Sequence, residues 1–386
     1  MAKKVKLANK FLIGTGINLY KGTFKKHVKL ITDDTLKKLE PPFVVVANHA
    51  SFVDVGGLIM SMYPNCANFV ISVTQLVQWP SLIKSMGVLP KKQFTVDTSL
   101  IRDIKYVLSC KRPVVIYPEA KLSVVGTLNI IKPAIAKLVK MLKVPLVTAC
   151  FNGTYLFKPR WAKSKRKVPV RLDVKVAVQP DEIDTITAQE IHERIVRNLS
   201  YDDYAYQLEN NIEIDVPNLV EGLENILYKC PECNEEFAMT GHGHMLTCSK
   251  CGHTVTQNKL GQLEGGRFSK VTDWYKWQTD CVREEVAAEH YRFGGFFRAE
   301  KLVGKKYVDM GEAEIVHDSE GITATFSGQT LHYKAGAFYT LSFNNDYIYL
   351  PTNEAVYRFK RLSNVGCTTK LNLAVEQQTM LLEQNK

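Results

Sequence analysis

No apolar run in the 386 residues reaches the roughly 18 to 20 residues that a spanning helix requires, so no transmembrane segment is expected. No secretory leader is expected either. Lys3, Lys4, Lys6 and Lys10 surround only a short apolar patch, and no small-residue cleavage site follows. These two absences predict a reducing intracellular setting, in which the nine cysteines serve as thiols or metal ligands rather than disulfides. Glycine (23) and proline (15) are too few to suggest disorder, and no internal repeat is visible. With 45% apolar and 23% charged residues the composition is that of ordinary globular domains, and the length allows two or three.

Acidic residues are absent where the bases concentrate. From Ala120 to Leu172 twelve Lys or Arg meet no Asp or Glu, ending in KPRWAKSKRK (158–167), and residues 1–40 carry ten Lys against three acids. Leu199 to Tyr228 reverses the balance, with seven acids and no Lys or Arg. A net charge of +11, with Tyr155 and Trp161 inside the basic stretch, suits an anionic partner: a membrane surface, a phosphorylated substrate or nucleic acid. The alternative is that the acidic stretch covers part of the basic one within the molecule.

What is present is a regular alternation. FVVVAN, NFVISV, PVVIYP and VPLVTACF have the short, β-branched character of buried strands. Helical patterns separate them: SFVDVGGLIMSMY, TQLVQWPSLIKSMG (interrupted at Pro80), SLIRDIKYVLSC and IIKPAIAKLVKMLK. The alternating run VPVRLDVKVAV (168–178) is expected to close the sheet, and a Thr187…Glu190 capping box opens the next helix. This predicts an α/β fold, a sheet covered by helices, over residues 1–212. Its first 30 residues form a basic amphipathic segment, either interfacial or packed on the domain. A linker with a cysteine module follows (213–265). Residues 266–386 then hold an aromatic helix carrying Trp274 and Trp277, expected in the core, and a β-rich domain with a final helix over LNLAVEQQTMLLEQ. That last pattern fits a small barrel or a pleckstrin-homology-like fold.

The strand FVVVA runs directly into Asn48, His49, Ser51 and Asp54. His49 and Asp54 are five apart, which on an ideal helix is 140° round the axis, so mid-helix side chains would not meet. They meet if a helix begins between them, and the S-x-x-D spacing predicts Ser51 at the N-cap with Asp54 in the first turn. His49 then lies on the preceding loop and folds back onto the carboxylate. A carboxylate on one ring nitrogen fixes the tautomer and steadies the imidazolium formed when the other nitrogen takes a proton, which is a general base. No G-x-S-x-G accompanies it, so the hydroxyl to be activated would come from the substrate. Backbone amides at the start of the following helix are candidates for holding an oxyanion.

Three further stretches stand in order behind this one. Gly87 leads to Lys91 and Lys92, the strand PVVIYP runs into Pro118, Glu119, Lys121 and Ser123, and Val144-Pro145 enters another strand. Together the four blocks resemble the glycerophospholipid acyltransferase family of the lysophosphatidate (1-acylglycerol-3-phosphate) type, over roughly residues 30–200. The first block, N-H-x-S-x-x-D, matches fully. In the second, Gln93 stands where the family usually has Arg. In the third, Ala120 replaces Gly, Lys121 replaces Thr and Leu122 replaces Arg.

The resemblance implies a general base in His49, oriented by Asp54. It implies a hydroxyl acceptor, a lysophospholipid or glycerol phosphate, attacking the thioester of acyl-CoA or acyl carrier protein. Asn48, Ser51, Pro118, Glu119 and Ser123 would line the acceptor site. Lys91, Lys92 and Lys121 are the candidates for phosphate contacts, though a lysine offers a point charge without the fork of arginine. A cytoplasmic protein held peripherally on the inner membrane face by anionic lipid follows as an expectation.

Cys230-x-x-Cys233 and Cys248-x-x-Cys251, separated by fourteen residues, have the spacing of a zinc ribbon. Four thiolates complete a tetrahedral Zn²⁺ site and leave no open position, so the expected role is structural. The module's own surroundings are not basic, and nucleic acid is not an expected partner. Two other classes compete with an acyltransferase: a catalytically degenerate lipid-surface scaffold, and a zinc-ribbon binding protein.

Overall fold

The fold is that of a computed structural model, which describes residues 5–76, 87–91, 97–352, 354–362 and 365–384. It divides into two compact units, residues 1–159 with 165–212, and residues 160–164 with 213–386.

The first unit is built on seven strands: β1 (Val28–Ile31), β2 (Val44–Ala47), β3 (Asn68–Ser72), β4 (Val88–Lys91), β5 (Val114–Ile116), β6 (Leu146–Asn152) and β7 (Val168–Val178). Their order across the sheet is β1-β7-β6-β2-β5-β3-β4. The strands β6, β2, β5, β3 and β4 are parallel. Every residue of β2 is fully buried, which is why its sequence is an unbroken apolar run rather than an alternation. Because these strands run the same way, their C-terminal ends bring residues 48–54, Ser72, Lys91, 117–123 and 152–154 to one edge. That is where open α/β sheets hold their ligands.

Helices connect the strands where the 3.6-residue period predicts them. Thr98–Ser109 is capped by Asp97, which accepts the Leu100 N–H at 3.0 Å. Ala188–Leu199 opens with the complete Thr187–Glu190 capping box. The helix expected over TQLVQWPSLIKSMG lies largely outside the described residues, with Val73–Leu76 its helical start. In the N-terminal helix Lys10–His27, Ile13 and Ile17 pack with Ala8 against Cys66, Ile59, Met60 and Tyr63. That face belongs to the domain core, while Phe11 on the other side is exposed. No helix among the described residues is long and apolar enough to cross a membrane.

The expectation that VPVRLDVKVAV closes the sheet needs correcting. β7 lies antiparallel to β6 on one side and parallel to β1 on the other, so β1 forms that edge. At four residues, β1 is too short for an alternation to emerge from the lysine-rich sequence around it.

The second unit begins with an antiparallel sheet of β8 (Met239–His242), β9 (Met245–Cys248), β10 (Thr254–Gln257) and β11 (Leu263–Glu264), which carries the cysteines. It continues into the helix Val271–Ala287 and a second, open antiparallel sheet. The strands of that sheet are β12 (Arg292–Val303), β13 (Lys306–Asp318), β14 (Gly321–Phe326), β15 (Gln329–Lys334), β16 (Ser342–Phe343), β17 (Tyr347–Pro351) and β18 (Val356–Arg361). Their order is β15-β14-β13-β12-β18-β17-β16, and the two outer strands do not pair, so the sheet is not a closed barrel.

The final helix, Cys367–Gln384, is buried along Cys367–Thr379. Several of its polar residues find partners inside. Asn372 accepts from the Leu341 N–H, Thr340 donates to Glu376, and Lys370 pairs with Glu236 and Glu285. Lys229, next to Cys230, joins the same two carboxylates. Trp274 donates its indole N–H to the Lys229 carbonyl, and Tyr228, Phe237 and Phe293 stack in sequence. The cysteine module and the β-rich tail, expected as separate domains meeting near residue 265, therefore share one core. A module of that length cannot bury enough surface by itself.

His317 on β13 is fully buried, between the Tyr291 hydroxyl on Nδ1 and Gln378 Oε1 on Nε2, each at 3.1 Å. The Gln378 amide already donates to the Asp318 carbonyl, so its oxygen must accept. This sets Nε2–H as the donor to Gln378. Burial pushes its pKa from 6.5 down to about 4. The stabilisation from the neutral ring is therefore complete above pH 6.5 and lost as pH falls toward 4, about 3 kcal/mol in all. Urea midpoints of the second unit should drop across that window, and His317→Gln should flatten the slope.

Candidate functional site

The strand β2 ends in a hydrogen-bonded plug. Asn48, fully buried, donates from Nδ2 to the Phe151 carbonyl at 2.8 Å and accepts the Phe151 N–H at 2.7 Å, which ties β2 to the end of β6. The helix that follows runs Val53–Met62, and Asp54 sits in its first turn, where the helix dipole favours a carboxylate.

Asp54 is fully buried. Its Oδ2 accepts the N–H groups of Ala50 at 2.7 Å and Ser51 at 3.0 Å, and faces His49 Nδ1 at 3.1 Å. The ring thus meets the carboxylate five residues on, through Nδ1. The His49 side chain keeps 18% of its exposure.

Ser51 differs from the expected N-cap. Phe52 stands at the N-cap of the helix with its backbone already helical, and the Ser51 hydroxyl accepts only a long bond of 3.3 Å from the Val53 N–H. Half of the capping box forms, the half in which Asp54 reaches back. The same geometry narrows the oxyanion expectation to the Phe52 N–H, because the amides of Ala50, Ser51, Val53 and Asp54 are committed within the turn.

The loop after β5 holds His49 from the other side. Glu119 Oε1 accepts the His49 N–H at 2.6 Å, while the Ser123 N–H donates to the His49 carbonyl at 2.8 Å. The Tyr117 ring stacks on the imidazole, with centroids 4.4 Å apart and planes at 30°. One loop therefore fixes both the main chain and the ring plane of the histidine.

Glu119 has no oxygen to spare. Its Oε2 accepts from the N–H and side-chain amide of Asn129, at 2.8 and 2.7 Å. The Ser123 hydroxyl donates to the Thr127 carbonyl and accepts the Gly126 N–H. Among the expected acceptor-lining residues, Asn48, Glu119 and Ser123 have their polar groups turned to protein partners. Pro118 is half-buried on the same loop.

Ala120, where the resembled block has glycine, sits at φ +60°, the left-handed region in which a Cβ is strained. The sharp turn is kept at that cost. Lys121 is buried next to it, and Lys91 ends β4 at the same edge of the sheet. Burial lowers the pKa of the Lys91 amine, and Asp97 partly offsets this. Lys92, together with Gln93, lies outside the described residues. Sequence reasoning missed Tyr117 and Asn129. Tyr117 could have been found as the residue preceding Pro118-Glu119, whereas Asn129 carries no local signal.

Burial drives two carboxyls upward here. Glu119, despite its hydrogen bonds, rises from 4.5 to about 7. Asp203, holding the N–H groups of Gly153 and Tyr155, rises from 3.8 to about 8. A raised carboxyl contributes stability that is full below its unfolded pKa and lost as pH rises through the folded one. Glu119 alone makes the first unit about 3 kcal/mol more stable near pH 4.5 than above pH 7. Urea midpoints of the first unit at the two ends of that window should differ in this sense, and less so in Glu119→Gln.

In the second unit, the Sγ atoms of Cys230, Cys233, Cys248 and Cys251 all lie within 4.8 Å of one another. The pairs 230–251 and 233–248 are 3.8 Å apart. That is far beyond a disulfide bond and matches the edge of a tetrahedron of thiolates about 2.3 Å from a Zn²⁺ ion. The two turns are of one kind: the Asn234 N–H bonds to the Cys230 carbonyl, and the Gly252 N–H to that of Cys248. Asn234 and Gly252 both lie at positive φ. The donor set fits a structural metal ion. His244 is turned away, to the Val216 carbonyl.

Three comparisons bear on the first unit. Residues 27–152 match the family model described as Acyltransferase. Among solved structures, the 1-acyl-sn-glycerophosphate (LPA) acyltransferase PlsC from Thermotoga maritima is similar at 19% identity, covering 49% of this chain and 79% of that one, with a TM-score of 0.39. No curated protein matches. The matched residues contain β2, the His49–Asp54 pair and the loop that clamps it, and the chain therefore carries an N-terminal acyltransferase-like domain.

Proposed function

We propose that this domain transfers a fatty acyl group from acyl-CoA or acyl carrier protein to the hydroxyl of a lysophospholipid or glycerol phosphate, giving phosphatidic acid or a related phospholipid. The observation that carries the proposal is the His49 Nδ1–Asp54 Oδ2 contact at the end of the central strand of an acyltransferase-like domain. His49 Nε2 takes the proton of the acceptor hydroxyl as the oxygen attacks the thioester carbonyl. Asp54 holds the tautomer and steadies the imidazolium, which then returns the proton to the leaving thiolate. Lys121 and Lys91 supply positive charge for the acceptor phosphate.

The four cysteines hold a structural Zn²⁺ that has no part in the transfer. The protein works at the surface of an anionic membrane, on the cytoplasmic face, where both substrate chains are available. The test is transfer of label from acyl-CoA to a panel of lysophospholipids and glycerol phosphate. Product with one acceptor class supports the reading. No product with any acceptor, from CoA or carrier protein, turns it toward the scaffold alternative.

A further inference from the structure

The hairpin of β12 and β13 reaches beyond the sheet that contains it. β14 pairs with β13 only over Ala313–Asp318, and β18 pairs with β12 only over Phe297–Lys301. From there the two strands pair with each other alone, through Leu302↔Tyr307 and Val303↔Lys306, to a turn at Gly304. Directly opposed residues share a face, so Lys301, Val303, Lys306 and Val308 lie on one side.

Farther back that side is the core: Ala299 and Phe359 on it are fully buried. At the tip no described residue covers it, and Val303 and Val308 are 54% and 47% exposed. The acids nearest the tip are already neutralised, since Asp309 is held by the fork of Arg298 and Glu300 by Arg358. Lys301, Lys305 and Lys306 are left as a local charge of three around two exposed valines.

We propose that this hairpin docks the protein on an anionic lipid surface, the valines entering the acyl boundary and the three lysines lying at phosphate level. The proposal rests on the lipid substrate suggested above, but its test needs no acyl transfer. The full chain is sedimented with vesicles of phosphatidylcholine plus phosphatidylserine, and with phosphatidylcholine alone.

Binding should require the anionic lipid and weaken with salt. Lys305→Gln/Lys306→Gln should bind about 30-fold more weakly, from about 1 kcal/mol per lysine. Val303→Thr/Val308→Thr, isosteric and at exposed positions, should lose several-fold with the charge intact. Unchanged binding of both variants would overturn the proposal, as would loss confined to Lys6→Gln/Lys10→Gln in the N-terminal segment. Light scattering covers the remaining outcome: a dimer joined through the open hairpin edge, without vesicle binding, would mean that a second copy takes this face. A hairpin that binds vesicles in a chain without transferase activity keeps the docking and discards the enzyme.

Discussion

Acyl transfer should fall by about 10²- to 10⁴-fold when His49 is replaced by alanine, the usual worth of a positioned general base. The loss should appear in kcat with little change in KM, because the ring acts on a proton in flight and not on ground-state binding. Asp54→Asn should fall in the same range for a different reason. An amide oxygen still accepts the Ala50 and Ser51 N–H groups, so the turn survives, but a neutral partner cannot steady the imidazolium. Circular dichroism and melting of both variants check that the fold is kept. Wild-type rates in His49→Ala would remove His49 from the reaction.

The other large effect is on stability. Cys230→Ser should abolish binding of one zinc ion per chain and unfold the cysteine module, since structural sites of this kind contribute about 10–16 kcal/mol. The damage should spread. Lys229, beside the lost ligand, pairs with Glu236 and Glu285, and its carbonyl accepts the Trp274 indole N–H. Trp274 fluorescence should therefore report metal loss, by mutation or by a strong chelator. An unchanged emission spectrum with the metal gone would show a module that folds on packing alone.

Most of the first unit could be read from sequence because its signals are local. Four valine-rich strands, a capping box and the Asn48–Asp54 block are each decided within about a dozen residues. The His49–Asp54 contact was legible because one helix start fixes it. What stayed hidden was how other polar residues are spent. Glu119 looks like a substrate ligand in sequence, but it faces His49 and Asn129, from positions 70 and 10 residues away. Ser51 matches a capping pattern, yet Phe52 takes the cap position. In the second unit, thirteen residues of the helix Cys367–Gln384 are buried on every side, with Lys370, Asn372 and Glu376 among them. Those polar groups disguise it as a surface helix, because their partners lie on segments distant in the chain.

That buried helix also bears on how the chain is made. The first unit has all its strands by Val178 and ends at Ile212, so it can fold while the rest is still being synthesised. The second cannot. Asn225, Glu236, Glu285 and Leu341 all await contacts from residues 367–384. A chain ending at about residue 360 would carry a finished first unit tethered to a second that lacks the helix along its middle.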